Sequence, residues 1–348
     1  MDLIRPNVAA LQPYVPGEQP QASGWIKLNT NEHPFLSAGV AEAVAAASTD
    51  ALRRYPDPLC VELRQKLAER YGVPPPQIIC GNGSDELLTL AMRASVGEGD
   101  RVAYPEPSYS LYETLARIQN AFPVPVALGP SWELPVDALA SAGARLTLVA
   151  NPNAPTGTAY ALDELDRLAV RCEGLLVIDE AYVDFGGQTS LPLVLCHQNV
   201  LVLRTMSKSF GLAGVRLGYA FGSPEVIEAL YKIKDSYNVD RLTQVAGVAA
   251  LDRYDEAMTN CRQIAARRDL VAGVLGERFG FHVWPSATNF LLVDTGPHAA
   301  PEVYEELKRR RILVRYFAKP RVENCLRITV GTEAEMAALV IALGQMLR

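Results

Sequence analysis

Residues 200–216 of the chain have the sequence VLVLRTMSKSFGLAGVR. The continuous apolar run at 200–203 predicts a strand that is buried on both faces of a sheet. Lys208 follows this strand at the position where open α/β sheets form a ligand crevice, and burial there would favour a nucleophilic amine. Arg216, with its planar fork of donors, suits a phosphate. An amine able to form a Schiff base beside a phosphate-binding arginine indicates pyridoxal phosphate (PLP), although a surface lysine in a glycine-rich loop is the alternative.

The hydrophobic pattern predicts an α/β fold. Between residues 55 and 235, apolar runs alternate with amphipathic segments, which is typical of a mainly parallel sheet covered by helices. The runs lie at residues 77–80, 101–104, 122–126, 146–150, 175–178, 200–203 and 217–221. Amphipathic helices are predicted at residues 59–71, 86–95, 162–171 and 224–233.

The pattern changes in the C-terminal third, which predicts a smaller α+β unit. A long helical region at 241–278 comes first. Short strands are predicted near residues 281–283, 290–293, 312–315 and 326–330, and helices at 301–310 and 333–347.

Composition excludes several classes of protein. The chain has 348 residues, 49% of them hydrophobic, which is enough to bury more than one domain-sized core. Its net charge of −6 and the lack of a large basic run argue against nucleic acid as the main partner. Its six cysteines and four histidines are scattered without metal-ligand spacing, so no metal site is expected. Without a signal peptide or an apolar run long enough for a bilayer, we expect a soluble cytoplasmic protein.

Residues 81–86, GNGSDE, form a second candidate site. This turn opens a helix after the run at 77–80, and the free amides and dipole of a helix N-terminus favour an anion. The spacing is not the GxGxxG of dinucleotide sites. A phosphate site and an ordinary turn remain open for this segment.

Asp179 and Tyr182 follow the buried run at 175–178. A carboxylate at the end of a buried strand is costly unless a cation or several donors meet it. A protonated pyridine nitrogen is such a cation, and the pair keeps the ring electron-withdrawing. Helix capping by Asp179 is the alternative. Tyr182 points either its hydroxyl toward the same ligand or its ring into the core.

Together these segments resemble, in order and spacing, the fold-type-I PLP-dependent aminotransferases, and within them most closely the histidinol-phosphate aminotransferases. The likeness covers essentially the whole chain. It extends through residues 7–14 (NVAALQPY), 28–32 (LNTNE), 54–58 (RYPDP), 104–109 (YPEPSY), 313–317 (LVRYF) and 326–332 (LRITVGT). The resemblance implies a large PLP-binding domain, residues 35–240, with a mainly parallel seven-stranded sheet. It implies a small α+β domain formed by residues 1–34 and 241–348.

The resemblance also implies roles for the cofactor-binding residues. Lys208 is expected to form the Schiff base with PLP and to move a proton between the substrate α-carbon and the cofactor C4′. Asp179 is expected to hold the pyridinium, Tyr182 the ring hydroxyl, and Tyr109 to stack on the ring. The expected phosphate ligands are Ser84, Asp85, Thr205, Ser207 and Arg216.

Other roles concern the substrate and a second subunit. The resemblance implies that Tyr55 reaches the cofactor phosphate of the neighbouring subunit, which makes the active unit a homodimer. Arg327 is expected to bind the α-carboxylate of the amino acid partner. Tyr14 and Arg315 are expected near the substrate phosphate, and Asn31 is assigned to the substrate site as well.

Two positions depart from the family pattern. Many relatives have an asparagine directly before Pro-Thr-Gly, as a bond to the cofactor ring hydroxyl, and this chain has Ala154 there. Either Asn153 turns in to supply the bond or Tyr182 acts alone. The Ala154–Pro155 bond in this turn is a candidate for the cis form. His33 replaces a commoner asparagine, and we expect it to be structural.

The implied reaction transfers the amino group between L-histidinol phosphate and 2-oxoglutarate, giving imidazole acetol phosphate and L-glutamate, in histidine biosynthesis. Two enzymatic alternatives remain open: an aromatic or broad-specificity amino-acid aminotransferase, and a lyase similar to threonine-phosphate decarboxylase. A PLP-fold sensor fused to a DNA-binding domain is disfavoured by the acidic charge and by the absence of a helix-turn-helix extension.

Overall fold

A computed structural model describes residues 3–11, 17–36 and 39–347. Within them the strands are β1 (Ile26–Lys27), β2 (Ile78–Asn82), β3 (Arg101–Glu106), β4 (Phe122–Ala127), β5 (Leu146–Ala150), β6 (Leu175–Asp179), β7 (Val200–Thr205), β8 (Leu217–Gly222), β9 (His282–Val283), β10 (Phe290–Asp294), β11 (Ile312–Leu313), β12 (Arg315–Tyr316) and β13 (Cys325–Thr329). The α-helices are α1 (Pro6–Ala9), α2 (Val40–Ala47), α3 (Val61–Tyr71), α4 (Gly83–Ser95), α5 (Leu111–Ile118), α6 (Val136–Ala140), α7 (Leu162–Arg171), α8 (Leu191–Cys196), α9 (Met206–Ser209), α10 (Pro224–Ile233), α11 (Arg241–Asp252), α12 (Tyr254–Phe279), α13 (Ala300–Arg309) and α14 (Glu333–Met346). Short 3-10 helices lie at Asp50–Arg53, Pro75–Gln77 and Val183–Phe185.

The large domain is built on a seven-stranded sheet in the order β2-β8-β7-β6-β5-β3-β4. Strand β8 is antiparallel to both of its neighbours, and the other pairs are parallel. The mainly parallel seven-stranded sheet predicted from the sequence is therefore confirmed. Because β5, β6 and β7 are parallel, their last residues, Ala150, Asp179 and Thr205, lie at the same edge of the sheet.

Both faces of this sheet are covered, which explains why the strands are continuously apolar. Alternate side chains of β6 enter opposite cores: Leu176 and Ile178 pack in one buried cluster and Val177 in another. Helix α3 contributes to the first cluster through Leu63, and helix α4 to the second through Leu87. Successive side chains of a strand point to opposite faces of the sheet, and since both faces are buried, every position of the strand is apolar.

The small domain contains a four-stranded antiparallel sheet in the order β12-β13-β10-β9. The single strand predicted at 312–315 is in fact two short strands. Strand β11 pairs in parallel with β1 near the N-terminus, whereas β12 pairs with β13. This split depends on a partner nearly three hundred residues away, so the local pattern did not reveal it. The pairing of β1 with β11 brings residues 28–32 to the small domain.

The helical region predicted at 241–278 consists of two helices, with a break at Arg253, where φ is −111° and ψ is 26°. Helix α11 packs against α2 and α3 of the large domain, whereas α12 packs against α14 and β9 and also against α9 and the 3-10 helix Val183–Phe185. The predicted boundary at residue 240 stays a prediction.

Candidate active site

A cavity of about 590 Å³ lies at the carboxyl ends of β5, β6 and β7. This is the edge at which open α/β sheets bind ligands. Its walls include the strand ends Ala150, Asp179 and Thr205 from the large domain and Arg315 and Arg327 from the small domain. The cavity therefore lies between the two domains.

Most of the site residues predicted from the sequence line this cavity. They are Asn31, Ser84, Asp85, Tyr109, Asp179, Tyr182, Thr205, Ser207, Lys208, Arg216, Arg315 and Arg327. The fold thus brings together segments from seven parts of the chain, and the binding role of each residue stays a prediction.

Asn153 is not brought to the cavity. Its side chain is fully buried, and its amide nitrogen donates to Pro107 O (3.0 Å) and to Thr156 Oγ1 (2.9 Å). Its amide oxygen accepts from the Ser108 hydroxyl (2.8 Å). Both amide hydrogens are therefore used, one by Pro107 and one within the turn, and the first of the two alternatives for Ala154 lacks its donor. The Ala154–Pro155 bond is cis, as the sequence suggested.

Tyr55 does not line the cavity of its own chain: it is 75% exposed and its ring stacks on Tyr237 with centroids 4.4 Å apart. Tyr14 lies outside the described residues. His33, expected to be structural, is half-buried, and its Nδ1 accepts from the Phe35 backbone N–H (3.1 Å).

Lys208 is presented by α9, a single helical turn that begins directly after β7. Thr205 caps this turn by accepting a hydrogen bond from Ser207 N (3.1 Å). The Lys208 ammonium donates to Thr30 O (3.1 Å) and lies 5.7 Å from the ring centroid of Tyr182. The amine is thus held inside the cavity and beside a phenol.

Asp179 ends β6 and is 6% exposed. Its carboxylate accepts hydrogen bonds from Ala181 N (3.1 Å) and from the Tyr112 hydroxyl (3.3 Å). Burial, with a further contribution from the Asp85 carboxylate, raises the pKa of Asp179 to about 7. Within the described residues no cation forms an ion pair with Asp179. A buried carboxyl group with a raised pKa suits a protonated pyridine nitrogen, because this cation would favour the ionised form of Asp179.

The sequence did not reveal Tyr112. It lies in the amphipathic helix α5, where a tyrosine has the pattern of a core aromatic, and it is fully buried. Its hydroxyl, however, donates a hydrogen bond to the carboxylate of Asp179.

The N-terminus of α4 and Arg216 form a cradle for an anion. Ser84 and Asp85 lie in the first turn of α4, where backbone N–H groups lack intrahelical partners. Arg216 approaches the Ser207 hydroxyl (3.4 Å) and the Asp85 carboxylate (3.4 Å). A Cβ on Gly83, which has φ +78°, would lie 2.7 Å from Arg216 Nη2, so this close approach requires glycine.

Asp85 contributes to this cradle through its backbone. A carboxylate cannot donate a hydrogen bond to a phosphate, so its N–H is the group that suits an anion. The Asp85 side chain instead pairs with Arg216 and accepts from the Tyr109 hydroxyl (3.2 Å). It therefore orients the arginine and the tyrosine.

Asn31 holds the hydroxyl of Tyr182. It is 1% exposed with φ +57°, and its amide nitrogen donates to Tyr182 Oη (2.9 Å). Its amide oxygen accepts from Thr329 Oγ1 (3.1 Å), and its backbone carbonyl accepts from Asn289 (2.9 Å). The sequence predicted Asn31 but not Thr329 or Asn289, which orient it from the small domain.

Arg315 and Arg327 lie on paired strands of the small domain. They occupy directly opposite positions on the antiparallel strands β12 and β13. Both guanidinium groups lie over the Phe317 ring, with Cζ 5.5 Å and 5.4 Å from its centroid. Arg327 also donates to Asn29 O (3.0 Å). This part of the cavity is therefore suited to an anionic group.

Other lining residues were missed by the sequence analysis. They are charged residues in segments already quoted or directly following them: Glu106, Glu113, Lys319 and Arg321. Glu106 lies within the YPEPSY segment, and Lys319 and Arg321 follow LVRYF. Glu106 ends β3, Glu113 lies in α5, and the other two lie in the connection from β12 to β13. Charged residues are usually solvated, so the pattern alone gave no reason to single them out.

A buried ion-pair network lies behind the cavity. Arg204 and Glu180 directly adjoin Thr205 and Asp179, and their side chains pair at 2.9 Å. Arg204 also pairs with Asp184 at 3.3 Å. Both Arg204 and Glu180 are at least 95% buried, so the network links the ends of β6 and β7 inside the core.

Comparison with known proteins assigns this fold and site to a class. Residues 23–343 match the family Aminotransferase class I and II, and the chain belongs to this family. It is 43% identical to histidinol-phosphate aminotransferase 1 of Trichormus variabilis over 348 residues, covering 99% of each chain. It is also 43% identical to the histidinol-phosphate aminotransferase of Aromatoleum aromaticum, covering 98% of each. The crystal structure of histidinol-phosphate aminotransferase from Sinorhizobium meliloti in complex with pyridoxal 5′-phosphate superimposes with a TM-score of 0.92 at 29% identity, covering 100% of this chain and 98% of that one.

Proposed function

We propose that this chain is a PLP-dependent aminotransferase that transfers the amino group between L-histidinol phosphate and 2-oxoglutarate, giving imidazole acetol phosphate and L-glutamate in histidine biosynthesis. The observation that carries the proposal is a cavity that holds Lys208 and Asp179 on one side and the facing pair Arg315 and Arg327 on the other. Relatives that match over their full length and are named for this activity support it.

The residues present fit the cofactor. Asp179 offers a buried carboxylate for the ring nitrogen, and Arg216 with the N-terminus of α4 offers donors for the phosphate. Lys208 offers the amine for covalent attachment and Tyr182 the hydroxyl for the ring oxygen. When bound, PLP supplies an electron sink that stabilises negative charge at the substrate α-carbon.

Lys208 is the acid–base group in this proposal. Its amine takes the proton from the substrate α-carbon and returns a proton in the reverse direction. The Thr30 carbonyl, which accepts from the ammonium at 3.1 Å, and the ring of Tyr182 keep the amine in the cavity. Asn31 holds the Tyr182 hydroxyl in place.

Arg315 and Arg327 serve both half-reactions. Phosphate and carboxylate each satisfy the fork of an arginine, so one pair of guanidinium groups can accept a phosphate monoester and a dicarboxylate in turn. Glu106 and Glu113 also line the cavity, and Glu113 pairs with Arg117 at 2.8 Å.

A homodimer and a cytoplasmic location are part of the proposal. Tyr55 supports the dimer, because a large aromatic side chain that is 75% exposed and stacked on Tyr237 is available to a second copy. Among the described residues no helix is long and apolar enough to cross a membrane.

Steady-state transamination tests the substrate. We expect turnover of L-histidinol phosphate with 2-oxoglutarate to exceed that of phenylalanine or threonine phosphate, and Lys208→Ala to reduce it by at least ~10²-fold because the acid–base group is lost. Comparable turnover of phenylalanine would favour a broad-specificity aminotransferase. Release of carbon dioxide from threonine phosphate without an oxoacid would favour a decarboxylase. Lys232→Ala, which removes a lysine that is 68% exposed on α10, is the matched control.

A further inference from the structure

The hairpin that carries Arg315 and Arg327 is tied at its tip to the large domain. Residues 317–324 connect β12 to β13, and Arg321 lies within this connection. Its two terminal nitrogens donate to Leu128 O and Gly129 O, each at 2.6 Å. Both carbonyls directly follow β4, whose last residue lines the cavity. The contact therefore lies at the wall of the cavity, which Arg321 itself lines.

The same guanidinium packs on an aromatic ring. Arg321 Cζ lies 4.5 Å from the ring centroid of Trp132, which is 3% exposed. Trp132 N donates to Gly129 O (3.1 Å), so the ring and the two carbonyls come from one turn. Val322, the next residue in the hairpin connection, is 1% exposed and belongs to the same apolar cluster as Trp132. The contact thus combines two charge-assisted hydrogen bonds, a cation–π contact and apolar packing.

We propose that Arg321 is a positioning residue that fixes the substrate-binding arginines relative to Lys208. Its donors are directed at main-chain carbonyls of the large domain, so it acts through the hairpin and not on the substrate. Transamination requires the anionic end of the substrate and its amino carbon to be held at the same time and at a fixed separation. A hairpin that is not tied at its tip would hold Arg315 and Arg327 less accurately. Both substrates, one in each half-reaction, would then bind more weakly.

This inference rests on the proposed aminotransferase site but not on the identity of the amino donor. The test uses the holoenzyme variants Arg321→Ala and Arg321→Lys and measures KM and kcat for L-histidinol phosphate and for 2-oxoglutarate. For Arg321→Ala we expect KM to rise by about tenfold for both substrates, because two hydrogen bonds to a charged group are lost. Arg321→Lys keeps the charge and one donor nitrogen, so its KM values should lie between those of the unmodified enzyme and those of Arg321→Ala. The absorbance of bound PLP should not change.

The control is Arg309→Ala, which removes an arginine that is 73% exposed on α13 of the same domain. Its KM values should equal those of the unmodified enzyme. A rise of KM for only one substrate in Arg321→Ala would identify Arg321 as a direct ligand and overturn the positioning role. Unchanged KM values in both Arg321 variants would overturn it as well.

A second readout needs no substrate. Arg321 covers the ring of Trp132, so we expect acrylamide to quench the tryptophan fluorescence of Arg321→Ala more than that of Arg309→Ala. Trp132→Phe identifies the signal of this ring among the three tryptophans of the chain. Equal quenching would contradict the contact. If the unmodified enzyme did not use L-histidinol phosphate, the proposed substrate would be wrong, but the quenching comparison would still test the role of Arg321. If Arg321→Ala does not fold, Arg321→Lys replaces it.

Discussion

Arg315 and Arg327 face each other across the antiparallel strands β12 and β13, and both lie over the ring of Phe317. Like charges directly opposite in a sheet repel each other. An anion that accepts from both guanidinium groups removes the repulsion. The two guanidinium groups therefore form one position in the cavity that binds a phosphate or a carboxylate.

We predict that the shape of these two donors matters as well as their charge. Arg327→Lys and Arg315→Lys keep a cation but lose the planar fork, so each should lower kcat/KM by about tenfold or more, through loss of bidentate hydrogen bonds. Steady-state kinetics with both substrates provides the measurement. Arg309→Lys on the exposed face of α13 is the matched control, and near-normal kinetics in both site variants would refute the bidentate role.

Asp179→Asn tests the buried carboxylate. The amide cannot balance a protonated ring nitrogen, so we expect weaker PLP binding and transamination that is slower by about 10²-fold or more, as for other preorganised electrostatic groups. Equilibrium dialysis of PLP and single-turnover rates measure the two effects. Unchanged PLP affinity and rate in this variant would remove Asp179 from the cofactor site.

Asp179 should also give the cofactor-free protein a characteristic pH dependence. The pKa of Asp179 is raised to about 7 in the fold, whereas an unfolded aspartate has a pKa of about 3.9. Between these values the folded protein binds the additional proton, so this group makes stability fall as pH rises through the window. Chemical unfolding at pH 4 to 8 should show this fall in the cofactor-free protein and not in Asp179→Asn. Parallel curves for the two proteins would contradict the raised pKa.

The pair formed by Glu180 and Arg204 should be important for folding. Removal of one charge leaves the other buried without its partner, so Glu180→Gln should lower the free energy of unfolding by about 3–5 kcal/mol. Urea unfolding followed by circular dichroism measures this change. Glu228→Gln, in an exposed ion pair of α10, is the control and should cost less than about 1 kcal/mol. If Glu180→Gln lowered the free energy of unfolding as little as Glu228→Gln does, water would have access to the pair.

The proposed role of Tyr55 can be tested by mixing subunits. Tyr55→Ala and Lys208→Ala should each have low activity alone. If Tyr55 completes the site of the neighbouring subunit, a mixed dimer contains one site with both residues intact, and activity should return after the two inactive proteins are mixed and refolded. No recovery, with mixed dimers shown to form, would mean that Tyr55 acts within its own chain or not at all.

The sequence predicted the sheet well because its signals are local. The runs at 146–150, 175–178 and 200–203 are continuously apolar, and parallel pairing then places Lys208 and Asp179 at one edge without any further information. Features that depend on distant contacts were missed or wrong. The amide of Asn153 bonds to Pro107 and Ser108, the region 312–315 divides between two sheets, and the hydroxyl of Tyr112 and the guanidinium of Arg321 find partners far away in sequence.

The most direct test is the absorbance spectrum of the purified holoenzyme during addition of L-histidinol phosphate with no oxoacid present. The account predicts that the yellow absorbance of enzyme-bound PLP is lost and that 2-oxoglutarate restores it. A yellow band that L-histidinol phosphate leaves unchanged, while another amino acid bleaches it, would contradict the proposed substrate. A protein that takes up no PLP would contradict the account of the whole site.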